Sequence, residues 1–168
     1  LLGNKLISGV NMNRPDPYID YKHYSTKTYG HEEGLSAVFR QHAATHSHCS
    51  LLHGYALSFS FKFGCDRLDN KNWVVDFGGL KDLKAWLKNN FDHKHAVDKD
   101  DPALQDFLKL EEKGLTEVVV MNGVGCEKFA EQAFHFANDL VKELTGGRCY
   151  CVACEVREHG ANSAIYEG

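Results

Sequence analysis

Hydrophobic and polar positions divide the chain near Gly34. Before that point polar residues predominate, and "RPDPY" (14–18) reads as an extended or turning lead-in, since a residue before proline is steered away from helix. From Leu35 the pattern becomes periodic. "LSAVFRQHAAT" (35–45) and "YALSFSFKFG" (55–64) predict strands. In the second, Leu57, Phe59, Phe61 and Phe63 share one face, and Ser58, Ser60 and Lys62 share the other. "CDRLDNKN" is turn-rich, and "WVVDF" (73–77) resumes an extended run that Gly78 and Gly79 break. "LKDLKAWLKNN" (80–90) sets Leu80, Leu83 and Leu87 at helical spacing. The polar stretch "FDHKHAVDKDDP" (91–102) predicts a loop, and "DPALQDFLKLEEKG" (101–114) predicts a short helix closed by Gly114.

"LTEVVVM" predicts a strand and "NGVG" a turn. Phe129, Ala130, Ala133, Phe134, Ala137, Leu140, Val141 and Leu144 then mark the apolar face of a long amphipathic helix ended by "TGG". "RCYCVACEVRE" (148–158) predicts the last long strand, and "ANSAIYEG" a short final one. The order is β-β-α-β-α-β with a long hairpin first, which implies antiparallel pairing. The fold class is therefore α+β, with helices on one face of a sheet. The exposed edges of such a sheet favour an oligomer. Residues 1–11 join no pattern and are set aside; 1–34 form an N-terminal extension and 35–168 a single domain.

Composition narrows the class. A length of 168 residues suits one domain, and 43% hydrophobic with 11% aromatic residues excludes a disordered chain. The net charge of −4 comes without a basic block, so nucleic acid is not expected as a partner. No apolar run is long enough to span a bilayer, and no export signal is visible, so no membrane association is expected. The six cysteines then read as reduced thiols of a cytoplasmic protein.

The candidate chemistry gathers in "HAATHSHCSLLHGY" (42–55). His46 and His48 lie two apart and share a face of an extended chain, and His53 follows after a short loop. Three neutral imidazoles would form a site with one open position, for which zinc is the default metal. The plain alternative is a polar loop rich in histidine, and a second has Cys49 closing a structural Cys-His site. A metal or imidazolium beside Cys49 would raise its thiolate fraction; otherwise it is a small buried residue. Asp92 beside His93 in "DHKH" can hold an imidazole in one tautomer, or simply be solvated charge. "GCEKFA" opens the long helix with Cys126 and Glu127, where backbone N–H groups can hold a polar ligand or Glu127 can merely complement the helix dipole. Glu158 ends a strand, where a lone carboxylate is commonly a surface residue. "CVAC" has CxxC spacing but lies in a strand, which would place Cys151 and Cys154 on opposite faces.

Taken in chain order, "HAATH" (42–46), "CSLLHGY" (49–55), "WVVDFGGLK" (73–81), "FDHKH" (91–95), "GCE" (125–127) and "EHGANSAIY" (158–166) resemble the 6-pyruvoyltetrahydropterin synthase and 6-carboxytetrahydropterin synthase family. The resemblance implies a tunnelling fold, in which a four-stranded antiparallel sheet carries two helices. It also implies a homo-hexamer, a dimer of trimers, with active sites between subunits. It matches His46 and His53 to two zinc ligands and Cys49 to the catalytic cysteine. Asp92 and His93 match the relay that assists the cysteine, and Glu158 the clamp on the pterin's guanidine-like edge. Cys126 and Glu127 match the segment that completes the pterin pocket. The implied substrate is 7,8-dihydroneopterin triphosphate. The expected reaction yields 6-carboxytetrahydropterin, with the 6-pyruvoyl product or a binding-only role as alternatives.

One departure stands out. The family's third zinc histidine, the second of "H-G-H", is Tyr55 here, and only "SH" separates His46 from Cys49. His48 is expected to supply the missing ligand, with Tyr55 or His42 as other candidates. "GCE" and "EHG" also differ from the family's usual "T-x-E" and "E-T".

Overall fold

The computed structural model describes residues 21–168; the "RPDPY" lead-in and residues 1–11 lie outside the described residues. Strand β3 (His53–Cys65) is long enough to serve two partners along one edge. Its first half pairs antiparallel with β2 (Leu35–Phe39) and its second half with β1 (His23–Tyr29). Along its other edge runs β6 (Tyr150–His159), which in turn pairs with β7 (Asn162–Glu167). Beyond β2 lie β4 (Lys94–Asp98) and β5 (Val118–Met121), both parallel to their inner neighbours. The described residues form one seven-stranded sheet in the order β5-β4-β2-β3-β6-β7, with β1 on β3.

The alternation predicted for β3 is present. Leu57, Phe59, Phe61 and Phe63 are all buried, while Lys62 on the opposite face is exposed. Against this face lie α1 (Lys81–Phe91) and α3 (Cys126–Thr145). Phe91 of α1 meets Phe59 of β3 at 4.8 Å and Phe129 of α3 at 5.0 Å, and Phe129 meets Phe39 of β2 edge-on at 5.1 Å. These aromatic contacts tie both helices to the sheet at β2 and β3. Helix α2 (Leu104–Glu112) ends as expected, with Gly114 left-handed at φ 70°.

The α+β class holds, but the strand order is richer than the pattern predicted. His23–Tyr29, within the segment expected to be a polar extension, forms β1. Lys94–Asp98, expected to be loop, forms β4 with His95, Ala96 and Val97 buried. A strand between two parallel neighbours has both faces covered, so it shows no alternation to read. "WVVDF" is not a strand. The Arg148 guanidinium donates to the Val74 carbonyl at 2.8 Å and the Trp73 carbonyl at 3.4 Å, so these groups need no neighbouring strand. Asp76 then caps the helical turn Phe77–Leu80 by accepting from the Gly78 N–H at 2.8 Å.

In β6 the register passes from Lys62↔Ala153 to Phe63↔Cys151, leaving Val152 as an extra residue. This bulge corrects the expectation for "CVAC": Cys154 pairs with Phe61 and Cys151 with Phe63, and both are fully buried on the core face.

Candidate active site

The candidate residues collect at the end of the sheet where β3 begins, β6 ends and α3 starts. Cys49 sits on a one-turn 3-10 helix, His48–Ser50, and is exposed. The turn is fixed at both ends: the Cys49 N–H donates to Ser47 Oγ at 3.1 Å, and the Cys49 carbonyl accepts from the Gln41 N–H at 2.8 Å. Tyr55, two residues into β3, is half-buried and packs its ring against His53 at 5.6 Å and His159 at 6.1 Å. Burial, and then the negative charge of Glu158, push its hydroxyl above the ordinary phenol range. Tyr55 therefore stays protonated and can donate a hydrogen bond into the site.

Cys126 opens α3 and is 7% exposed. Its thiol is pushed up to about 12, first by burial and then by Glu158 and Glu127, and it hydrogen-bonds with Glu158. It is a thiol held neutral in the wall of the site, whereas Cys49 is exposed. Cys126 and Glu158 thus meet directly, and the Tyr55 hydroxyl lies within electrostatic reach of Glu158, Cys49 and Cys126, with exposed Glu127 on the first turn of α3. The half-buried Glu158 carboxylate faces one buried thiol and one phenol, which leaves it capacity to accept from a planar N–H pair.

Asp92 and His93 form the expected dyad, with His93 Nδ1 2.6 Å from Asp92 Oδ1. His93 adopts φ 56°, and its side chain is 88% exposed. The dyad's strand is not a neighbour of β3. The next residue, Lys94, lies in register with Ala37, which lies in register with Tyr55. Two interstrand spacings, roughly 10 Å, therefore separate the dyad's strand from β3.

The three-histidine set is not formed. His46 and His48 are exposed on the Cys49 loop, and among the described residues no three His, Cys, Asp or Glu side chains are grouped to hold a metal ion. Of the three, His53 has its tautomer fixed: its Nδ1 lies 2.7 Å from the Leu51 carbonyl, so that nitrogen donates and Nε2 keeps its lone pair. Tyr55, expected from the resemblance to stand in place of the third ligand, carries its protonated hydroxyl within electrostatic reach of Glu158. His42, the other alternative, lies 3.8 Å from Asp98. These donors as placed do not fit a three-histidine zinc centre.

Known structures share this arrangement of strands and helices. An uncharacterized protein from Wolinella succinogenes superposes with a TM-score of 0.71 at 16% identity, covering 86% of this chain and 97% of that one. The 6-pyruvoyl tetrahydropterin synthase of Plasmodium falciparum superposes with a TM-score of 0.61 at 14% identity, over 86% and 98% of the two chains. The fold is that of the pterin synthases. Residues 25–168 match the family described as PTPS, 6-pyruvoyl tetrahydropterin synthase, and the chain belongs to that family. It is accordingly a lyase-type enzyme of this class. Among curated relatives, the 6-carboxy-5,6,7,8-tetrahydropterin synthase of Rickettsia felis is 26% identical over 62% of this chain and 74% of its own length. That of Rickettsia bellii is 39% identical over 57% of this chain and 67% of its own length. A shorter match to the same enzyme of Rickettsia conorii is 37% identical and spans only 39% of that relative.

Proposed function

We propose that the protein converts 7,8-dihydroneopterin triphosphate and water to 6-carboxy-5,6,7,8-tetrahydropterin, acetaldehyde and triphosphate. The observation that carries this reading is the convergence of an exposed thiol, Cys49, with a carboxylate, Glu158, framed by neutral Tyr55 and Cys126. Every curated relative named above is a 6-carboxy-5,6,7,8-tetrahydropterin synthase, which favours this product over the 6-pyruvoyl one.

In this reading Glu158 accepts two hydrogen bonds from the pterin's guanidine-like edge and sets the ring's orientation. Glu127 and the N–H groups at the start of α3 complete the pocket. Cys49 then removes and returns protons on the side chain, a task its exposed turn permits. Asp92 holds His93 in one tautomer, so that His93 can pass protons to and from the thiol. His93 projects into solvent two strands from its own chain's Tyr55, a placement suited to the Cys49 of a neighbouring subunit. The outer edges of β1 and β7 carry no further strand among the described residues and offer the pairing surfaces for a trimer, two of which would make the hexamer.

The family is generally metal-dependent. His53, with its Nε2 lone pair free, would be one residue to hold a metal ion. Six free cysteines accord with a reducing cytoplasm, and among the described residues no helix is long and apolar enough to cross a membrane.

Mass-spectrometric product analysis after incubation with 7,8-dihydroneopterin triphosphate tests the reaction. 6-Carboxytetrahydropterin with acetaldehyde is the expected outcome. 6-Pyruvoyltetrahydropterin would assign the other branch, and unchanged substrate would reduce the role to binding.

A further inference from the structure

The loop that carries Cys49 hangs on two adjacent residues of the preceding segment. Arg40 makes a two-pronged ion pair with Asp101, at 2.8 Å from Nε and 2.6 Å from Nη2, and the Asp101 side chain is only 1% exposed. From this fixed point Arg40 Nη1 donates to the Ser50 carbonyl at 3.3 Å. Gln41 acts in two directions. Its backbone N–H holds the Cys49 carbonyl, and its side-chain Nε2 donates to the Val124 carbonyl at 2.7 Å. Val124 and Gly125 lead directly into Cys126. Gly125 has φ 107°, and a Cβ there would collide with the Gln41 amide nitrogen, so the backbone is shaped around this side chain. Among the described residues, Gln41 is thus the one that hydrogen-bonds both the thiol's turn and the lead-in to α3.

We propose that Gln41 is a positioning residue, which fixes the Cys49 turn relative to the pterin-holding start of α3 through its amide bond to the Val124 carbonyl. This rests on the functional reading above, in which Cys49 moves protons on a pterin held by Glu158 and α3. Helix α3 does not depend on Gln41 for its own place, because Phe129, Ala130 and Ala133 are fully buried. The Cys49 turn has no buried side chain and depends on its hydrogen bonds. Loss of the amide bond leaves the turn on the Gln41 N–H and Arg40 but frees the loop that carries it to move relative to the start of α3, with the pterin pocket left in place. A displacement of about 1 Å between a reacting group and its substrate lowers the rate by about a hundredfold.

The test is Gln41→Met, which keeps length and the backbone N–H but removes the amide; Gln41→Asn, one methylene too short to reach, replaces it if the first variant fails to fold. The expected kcat falls about 10- to 100-fold with KM for 7,8-dihydroneopterin triphosphate within about threefold of wild type. Backbone hydrogen exchange should accelerate about tenfold in residues 47–52 while β3 and α3 stay protected. A purely structural role would instead raise exchange throughout and leave kcat per folded molecule unchanged. Wild-type kcat, or unchanged exchange in 47–52, would overturn the assignment. An inactive wild-type protein would refute the proposed reaction instead, and the exchange measurement would still decide whether Gln41 tethers the turn.

Discussion

Two cysteines face the same site from opposite physical situations. Cys49 stands exposed on a single 3-10 turn that is held only by hydrogen bonds. Cys126 is buried at the start of a 20-residue helix, and its thiol is pushed up to about 12. The first suits a group that must reach substrate and exchange protons. The second is a neutral part of the wall that supports Glu158. The contrast teaches that residue type alone does not assign chemistry: the same side chain is reagent or scaffold according to burial and neighbouring charge.

The contrast can be broken most sharply by removing each thiol in turn. Cys49→Ala should lower kcat by about a thousandfold or more, a range typical for loss of a proton-transferring group. Cys126→Ala should keep kcat within about tenfold, measured by steady-state turnover on folded protein of equal concentration. A reversal of these two results would exchange the roles assigned to the thiols.

A smaller effect is expected from Glu158→Gln, which keeps the shape but loses the charge that accepts the pterin's N–H pair. KM should rise about 10- to 100-fold, in line with about 1.5–3 kcal/mol for a hydrogen bond to a charged group. The same change removes one of the charges that raise the Cys126 thiol. Titration of that thiol by ultraviolet absorbance should therefore move downward from about 12.

Tyr55 stands where the motif resemblance leads one to expect a histidine. Tyr55→His supplies an imidazole at the family's third ligand position, beside the free Nε2 of His53. Zinc per chain, read by elemental mass spectrometry after dialysis, should be higher in this variant than in wild type. Equal occupancy would show that the metal is held by donors other than those at position 55.

The smallest effect concerns pH. The buried Cys126 and Cys149 thiols are each raised to about 12 by burial, against about 8.5 for an exposed thiol. Above pH 8.5 the unfolded chain loses these protons first, so it binds fewer protons than the folded one and stability declines. The stability is fully present below pH 8.5 and is lost progressively up to about 12. Urea midpoints should fall between pH 8 and 10, and less steeply in Cys126→Ala.

Much of the scaffold was legible because its signals are local. The phenylalanines of β3 alternate, α3 repeats apolar residues every three to four positions, and Gly114 and Gly146 end helices with left-handed backbone. Of the motif residues, Cys126 and Glu158, 32 positions apart, are joined by a hydrogen bond in the fold. What escaped was set by partners distant in sequence. Strand β4 is defined by two parallel neighbours, "WVVDF" by Arg148, the shared face of Cys151 and Cys154 by a bulge against β3, and Gln41 by a carbonyl 83 residues away. The histidines misled for the same reason: proximity along the chain did not become convergence in space, since His46 and His48 point to solvent from a turn that His53 has already left.

The central claim is that Cys49 is the reactive thiol of a pterin site, and alkylation with mass mapping tests it most directly. Limited iodoacetamide treatment of the native protein should modify Cys49 and spare Cys65, Cys126, Cys149, Cys151 and Cys154, all of which are buried. Turnover should be lost in proportion to that modification, and 7,8-dihydroneopterin triphosphate should slow both. Full activity in protein whose Cys49 is completely alkylated would contradict the account.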